Sequence, residues 1–156
     1  MSPVVQVRRA VIAELDEAAR LFDAYLAFYE KQIEPSASRA FIAGRLDKLD
    51  SVIFLAWIGD RAVGFMQLYP TFASLSLAPA WVLNDLYVEV SARGRGVGEA
   101  LMAKASALAA ETGAAEVFLQ TALDNYGAQR LYEKLGYQRD EQFVVYTLDT
   151  SPTSRR

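Results

Sequence analysis

Valine-rich Val4 to Arg8 predicts an opening strand, after which Leu15, Ala18, Ala19, Phe22, Leu26 and Tyr29 recur on one face of a helix. Pro35 interrupts that pattern. Ser36 or Ser38 is placed to cap a second, shorter helix whose buried stripe is Ile42, Leu46 and Leu49. Val52 to Ile58 and Ala62 to Tyr69 are β-rich runs separated by Gly59-Asp60, a hairpin signal, so they are expected to pair antiparallel. Thr71 to Pro79 reads as a loop of small residues and proline, and Trp81 to Val90 as a further strand. Val97, Leu101, Ala105 and Leu108 then mark a long helix that Gly113 is placed to end in the left-handed conformation.

Ala115 to Thr121 is nearly continuous in apolar residues, which predicts a strand buried on both faces and joined to its neighbour by a right-handed crossover. A last helix carries Ala128, Leu131, Tyr132 and Leu135 and stops at Gly136, before the β-rich Phe143 to Leu148. The order is β, α, α, β, β, β, α, β, α, β. It predicts an α/β fold with a mixed, mainly antiparallel central sheet flanked by helices.

Composition narrows the chemistry. With 156 residues, 53% of them hydrophobic, the chain suits one domain over 1–150 with a polar, frayed tail at 151–156. A formal net charge of -3 gives no reason to expect nucleic acid as a partner, and a mildly acidic surface suits a cationic small molecule. Cysteine and histidine are both absent, which excludes disulfides, thiolate nucleophiles, Ser-His triads and the usual zinc sites, so no metal is expected. No apolar run reaches the roughly 18 residues of a transmembrane helix, and the N-terminus lacks a signal-peptide pattern. A cytoplasmic protein without a membrane partner is the expectation.

Chemistry concentrates in Arg93-Gly94-Arg95-Gly96-Val97-Gly98, between a strand and a helix. Residues without Cβ let backbone wrap an anion, the first-turn N–H groups point at it, and Arg93 and Arg95 add positive charge. A turn whose glycines serve packing alone has the same composition. Two other phosphate motifs do not fit: Gly98 is followed by Glu99 rather than the Lys-Ser/Thr of a Walker loop, and GxGxG past mid-chain is not a Rossmann GxGxxG.

The pattern R/Q-x-x-G-x-G/A resembles the coenzyme A loop of the GCN5-related N-acetyltransferase superfamily. NDLYVEVSARGRGVGEALM, from Asn84 to Met102, is similar to that family's fourth strand, pyrophosphate loop and third helix, and NYGAQRLYEKLGY, from Asn125 to Tyr137, to its second conserved motif. NDLYV also resembles the branch with yeast histone and polyamine acetyltransferases. The resemblance implies acetyl-CoA as co-substrate and a sheet splayed between its fourth and fifth strands. The pantetheine arm would lie along Leu86, Tyr87 and Val88, and the pyrophosphate on the backbone from Gly94 through Arg95, Gly96, Val97 and Gly98 to Glu99, with Arg93 at the start of the loop.

Asn125, Ala128 and Tyr132 match cofactor-binding positions, although Asn125 is equally an ordinary helix N-cap. Tyr132 matches the tyrosine that protonates the departing thiolate, a task suited to a phenol of ordinary pKa about 10. The alternative is a core tyrosine. Where relatives carry a Glu base this chain has Asn84, which leaves adjacent Asp85, re-aimed by a bulge, or water to take the proton; Asp85 reads equally as a structural acceptor. Tyr29, Glu30 and Glu34 match the acceptor pocket and would hold a cationic amine such as a polyamine, or else form a solvated helix end. Without cysteine the transfer is direct. A coenzyme A-binding sensor without turnover is the rival reading. The apolar run Phe143, Val144, Val145 and Tyr146 further suggests a homodimer.

Overall fold

The computed structural model describes residues 4–152, which gather into two compact units, 4–120 and 121–152. The expected tail at 151–156 lies outside the described residues from position 153 onward.

In the first unit the elements are β1 (Val5–Arg9), α1 (Leu15–Phe28), α2 (Pro35–Lys48), β2 (Val52–Ile58), β3 (Arg61–Ala73), β4 (Ala78–Val88), α3 (Val97–Thr112) and β5 (Val117–Leu119). The strands form one sheet in the order β1-β2-β3-β4-β5, antiparallel throughout except for the parallel pair β4–β5. A mixed, mainly antiparallel sheet flanked by helices is therefore what the pattern led us to expect.

Alternation along β3 assigns its faces. Phe65 belongs to the cluster that α1 and α2 cover with Leu21, Phe22, Ile42 and Leu46. Adjacent Gly64 faces α3, and a Cβ built on it would lie 3.1 Å from the Tyr87 carbonyl oxygen, 3.1 Å from Val97 Cγ1 and 3.3 Å from Leu101 Cδ1. The missing side chain is what lets the first turn of α3 settle on the sheet.

Several boundaries differ from those the sequence suggested. Pro35 opens α2 rather than ending α1, which stops at Phe28 before Glu30 at φ 58. Proline suits a first helical turn, where its absent N–H is not needed. Neither Ser36 nor Ser38 caps α2: Glu34 holds the cap position, and the Ser38 hydroxyl donates instead to Asp23 and the Pro35 carbonyl. The expected loop at 71–79 is largely strand, with Pro70 opposite Trp81 and Phe72 opposite Pro79 in an exposed ribbon. Proline is tolerated where a strand edge needs no ladder partner.

The strand expected at Ala115 to Thr121 shrinks to β5, an edge strand with Phe118 exposed, although its parallel crossover through α3 is as expected. Among the described residues no strand pairs with its outer edge, and exposed Phe118 shows that the run is not buried on both faces.

The second unit contains α4 (Tyr126–Lys134), with Asn125 as its N-cap. No strand forms at 143–148: Phe143, Val144, Val145, Tyr146 and Leu148 are all exposed. A β-rich segment becomes a strand only when a ladder partner satisfies its backbone, and among the described residues none pairs with it.

Candidate functional site: a splayed strand, a glycine loop and a buried carboxylate

β4 changes phase at one residue. Gln67 pairs with Asp85 but Leu68 pairs with Leu83, so Asn84 is an extra, unpaired residue in the strand. Leu83 therefore lies opposite the α3-facing Leu68, while Asp85 and Tyr87 lie opposite Gln67 and Phe65 on the α1/α2 face. The bulge turns Asp85 to that face.

The same residue marks where β5 departs. β4 and β5 pair through Trp81–Val117, Val82–Phe118 and Leu83–Leu119, and the ladder ends there. From Asp85 to Val88 the outer edge of β4 thus has no strand partner, which is the splay expected between the fourth and fifth strands. Backbone groups left open in this way can accept an extended ligand as an added strand.

Beyond β4 the chain is clamped before it enters the loop. Glu89 N–H donates to the Val63 carbonyl at 2.8 Å, while the Glu89 carboxylate accepts from Arg20 and, at 2.9 Å, from Arg61. Arg20 also donates to Glu17 at 2.7 Å and to the Ala62 carbonyl at 2.6 Å, and this pairing holds the Glu17 carboxyl below the usual carboxylate range. The clamp ties α1, β3 and the exit of β4 together.

Gly94 and Gly96 follow with φ of 80° and 78°, left-handed values that a side chain disfavours, and Gly96 is the N-cap of α3. No heavy atom lies within 4 Å of a Cβ built at either position, so conformation rather than crowding by the protein requires glycine here. The first turn of α3, opened by Val97 and Gly98 behind the Gly96 cap, presents the positive end of the helix dipole to the loop. Arg93, expected at the start of the loop, is anchored to the end of β4. Its Nε donates to the Val88 carbonyl at 3.0 Å, and its guanidinium lies 5.6 Å from the Phe28 ring and 5.9 Å from that of Tyr87.

On the α1/α2 face the rings gather. Tyr29 lies 5.1 Å from Tyr25 and 5.2 Å from Phe28, and both Tyr25 and Phe28 lie 6.3 Å from Tyr87. Of the residues expected to hold an acceptor, Tyr29 joins this cluster, whereas Glu30 and Glu34 sit exposed in the turn between α1 and α2. Tyr25 and Phe28 were not singled out from the sequence, although Tyr25 falls at helical spacing from Phe22 and Tyr29.

Asp85 is only 6% exposed and Gln67 not at all. Gln67 Nε2 donates to Asp85 Oδ2 at 2.9 Å, Asn84 Nδ2 to Oδ1 at 3.1 Å, and Ser51 Oγ to Gln67 Oε1 at 2.8 Å. Among the described residues no cation is paired with Asp85. Burial, and then the negative charge of Asp85, push the nearby Tyr69 phenol up to about 12. Gln67, Ser51 and Tyr69 went unnoticed in the sequence, where the signal was a lone amide inside the apolar run from Ala62 to Tyr69.

In the second unit the Asn125 side chain accepts from Ala128 N–H at 3.3 Å, so it does cap α4. Tyr132 is half-buried, its ring 6.0 Å from that of Tyr137, whose phenol burial pushes upward. Among the described residues no cluster of carboxylates could hold a metal, and no helix is long and apolar enough to cross a membrane.

Comparison with known proteins agrees with these features. Residues 18–137 match the Acetyltransferase (GNAT) family. The chain is 38% identical to an uncharacterized N-acetyltransferase of Bacillus subtilis, YhfO, over 93% of this chain and 97% of that one. It is 32% identical to a D-amino-acid N-acetyltransferase of Saccharomyces cerevisiae, over 84% and 83% of the two chains. A crystal structure of a probable acetyltransferase, 41% identical, superposes with a TM-score of 0.89 over 94% of this chain and 98% of its own. A sheet that parts after Leu83, a left-handed glycine pair at the head of α3, and this set of relatives together make the chain a member of the GNAT family, an N-acetyltransferase that uses acetyl-CoA.

Proposed function

We propose that the chain transfers acetyl directly from acetyl-CoA to the primary amine of a small cationic molecule, a polyamine or a similar amine. The observation that carries this reading is Asp85: a buried carboxylate without a paired cation, two strand positions from Tyr87 and its ring cluster. A carboxylate buried without a counter-charge is costly, and an incoming ammonium would relieve it. Rings Tyr25, Phe28, Tyr29 and Tyr87 suit the body of such a molecule, and cation–π attraction favours its charge. The yeast relative acts on D-amino acids, which also present an ammonium to be acetylated.

Leu86, Tyr87 and Val88 would offer backbone bonds to the pantetheine arm, and the backbone from Gly94 to Glu99 would hold the pyrophosphate. Asn125 and Ala128, in the second unit, are cofactor-binding positions by the family resemblance. Asp85 takes one proton from the ammonium, each of its oxygens keeping a lone pair beyond the bonds from Gln67 and Asn84. The freed amine attacks the acetyl carbonyl carbon, a C–N bond forms, the C–S bond breaks, and the nitrogen releases its second proton to water. Tyr132 gives its hydroxyl proton to the departing thiolate, and water restores both groups.

Thioester cleavage measured across polyamines, amino acids and uncharged amines tests the reading. Turnover confined to cationic amines is the expected result; preference for uncharged amines, or no turnover with any, would overturn it. We also infer a homodimer, in which a second copy covers the exposed run from Phe143 to Leu148. A monomer mass by light scattering at micromolar concentration would contradict that.

A further inference from the structure

Asp85 does not stand alone: a buried file of polar side chains leads to it from the start of β2. Ser51, immediately before β2, is 5% exposed and donates to Gln67 Oε1, and Gln67, in mid-β3, donates to Asp85 in β4. The file crosses three adjacent strands on a face otherwise filled by Phe65, Leu55 and Ile53. A methionine or leucine at 67 would fill the space without burying an amide, so the amide needs a reason other than packing.

We propose that Gln67 is a positioning residue for the proton-accepting carboxylate of Asp85, and that Ser51 holds the far end of the Gln67 amide in place. The inference rests on Asp85 acting as the base. A carboxylate only accepts, so the amide must turn its NH2 toward Asp85. Its oxygen then needs a donor, and the Ser51 hydroxyl at 2.8 Å supplies one. A flipped amide would set oxygen against oxygen at Asp85, so Asp85 sets the orientation and the Ser51 hydroxyl secures the far end of the amide. Held this way, Oδ2 is anchored on one side by Gln67 and Oδ1 by Asn84, and the carboxylate plane is fixed toward the acceptor. None of the three supporting groups carries charge, so they orient Asp85 without neutralising it.

The test compares Gln67→Met, Ser51→Ala and Asp85→Asn, singly and combined, by steady-state kinetics with the best amine of the panel and by thermal melts. Gln67→Met is expected to lower kcat about tenfold to a hundredfold, a typical consequence of misplacing a reacting group, while the KM for acetyl-CoA stays within about twofold. In the Asp85→Asn background the same substitution should change kcat less than about twofold, because a residue acting through Asp85 has nothing left to position. Ser51→Ala should show a smaller loss with the same dependence, and it carries the comparison if Gln67→Met does not fold. Equal losses in both backgrounds, tracking a lowered Tm, would mean a structural role and overturn the inference while leaving Asp85 as base. A near-normal kcat in Asp85→Asn itself would overturn the base assignment and this inference with it.

Discussion

Replacing Gly64 with alanine adds one methyl group where three neighbours already meet. The new Cβ would sit 3.1 Å from the Tyr87 carbonyl oxygen, 3.1 Å from Val97 Cγ1 and 3.3 Å from Leu101 Cδ1, each a few tenths of an ångström inside comfortable contact. Gly64 does not have a left-handed φ, so alanine brings no backbone strain, and the cost is overpacking alone. The carbonyl belongs to the β3–β4 ladder and cannot yield, which leaves the first turn of α3 to move. Overpacking of this kind costs about 1–3 kcal/mol. At roughly 2–4 °C per kcal/mol for a chain of this size, Tm should fall by about 2–12 °C.

Moving Val97 also moves the N–H groups behind Gly96, so acetyl-CoA affinity measured by calorimetry should fall roughly threefold to tenfold, up to about 1.4 kcal/mol. Trimming Val97 to alanine in the same chain should restore part of both losses, which separates a clash at this contact from general damage. A Gly64→Ala variant with unchanged Tm and unchanged affinity would refute the claim that this glycine seats the helix.

Gly96→Ala should weaken acetyl-CoA binding by calorimetry, with a strain cost of about 1–2 kcal/mol for an L-residue in the left-handed region, and Gly96→Val should do so more severely. Tyr132→Phe should lower kcat on the order of 10²–10⁴ with Tm and acetyl-CoA affinity nearly unchanged, whereas a merely structural tyrosine would show the reverse pattern. Tyr69, with its folded pKa near 12 against 10.0 unfolded, binds its proton more tightly when folded. Its contribution is complete below pH 10 and lost as pH rises toward 12, so Tyr69→Phe should flatten the alkaline fall in stability and remove one late-titrating phenol from the ultraviolet titration.

What the sequence revealed was local chemistry. Gly59, Gly96 and Gly113 all adopt the left-handed φ that their turn and cap positions require, and the spacing from Val97 to Leu108 gave α3 its buried face. Features that depend on two segments meeting were harder to read. A bulge leaves no mark on composition, so the direction of Asp85 stayed open until the pairing with Gln67 fixed it. The bond from Arg93 to the Val88 carbonyl and its place beside two rings could not be read from sequence either, because they depend on α1 and β4 meeting. The run from Phe143 to Leu148 has the β-rich composition of a strand, but composition describes side chains, and a strand also needs another backbone beside it.

The extra residue at Asn84 means that β4 is two short strands spliced out of step. Before it, Leu83 faces α3; after it, Asp85 and Tyr87 face the α1/α2 side, although a regular strand would put all three odd-numbered residues on one face. Deleting Asn84 would make the strand more regular and the protein worse. Either Asp85 and Tyr87 would rotate into the apolar layer under α3, or Leu83 would rotate out of it. Any two relatives compared across this strand must therefore be aligned with the splice in register. A shift of one position exchanges the residues packed under α3 with those packed under α1 and α2.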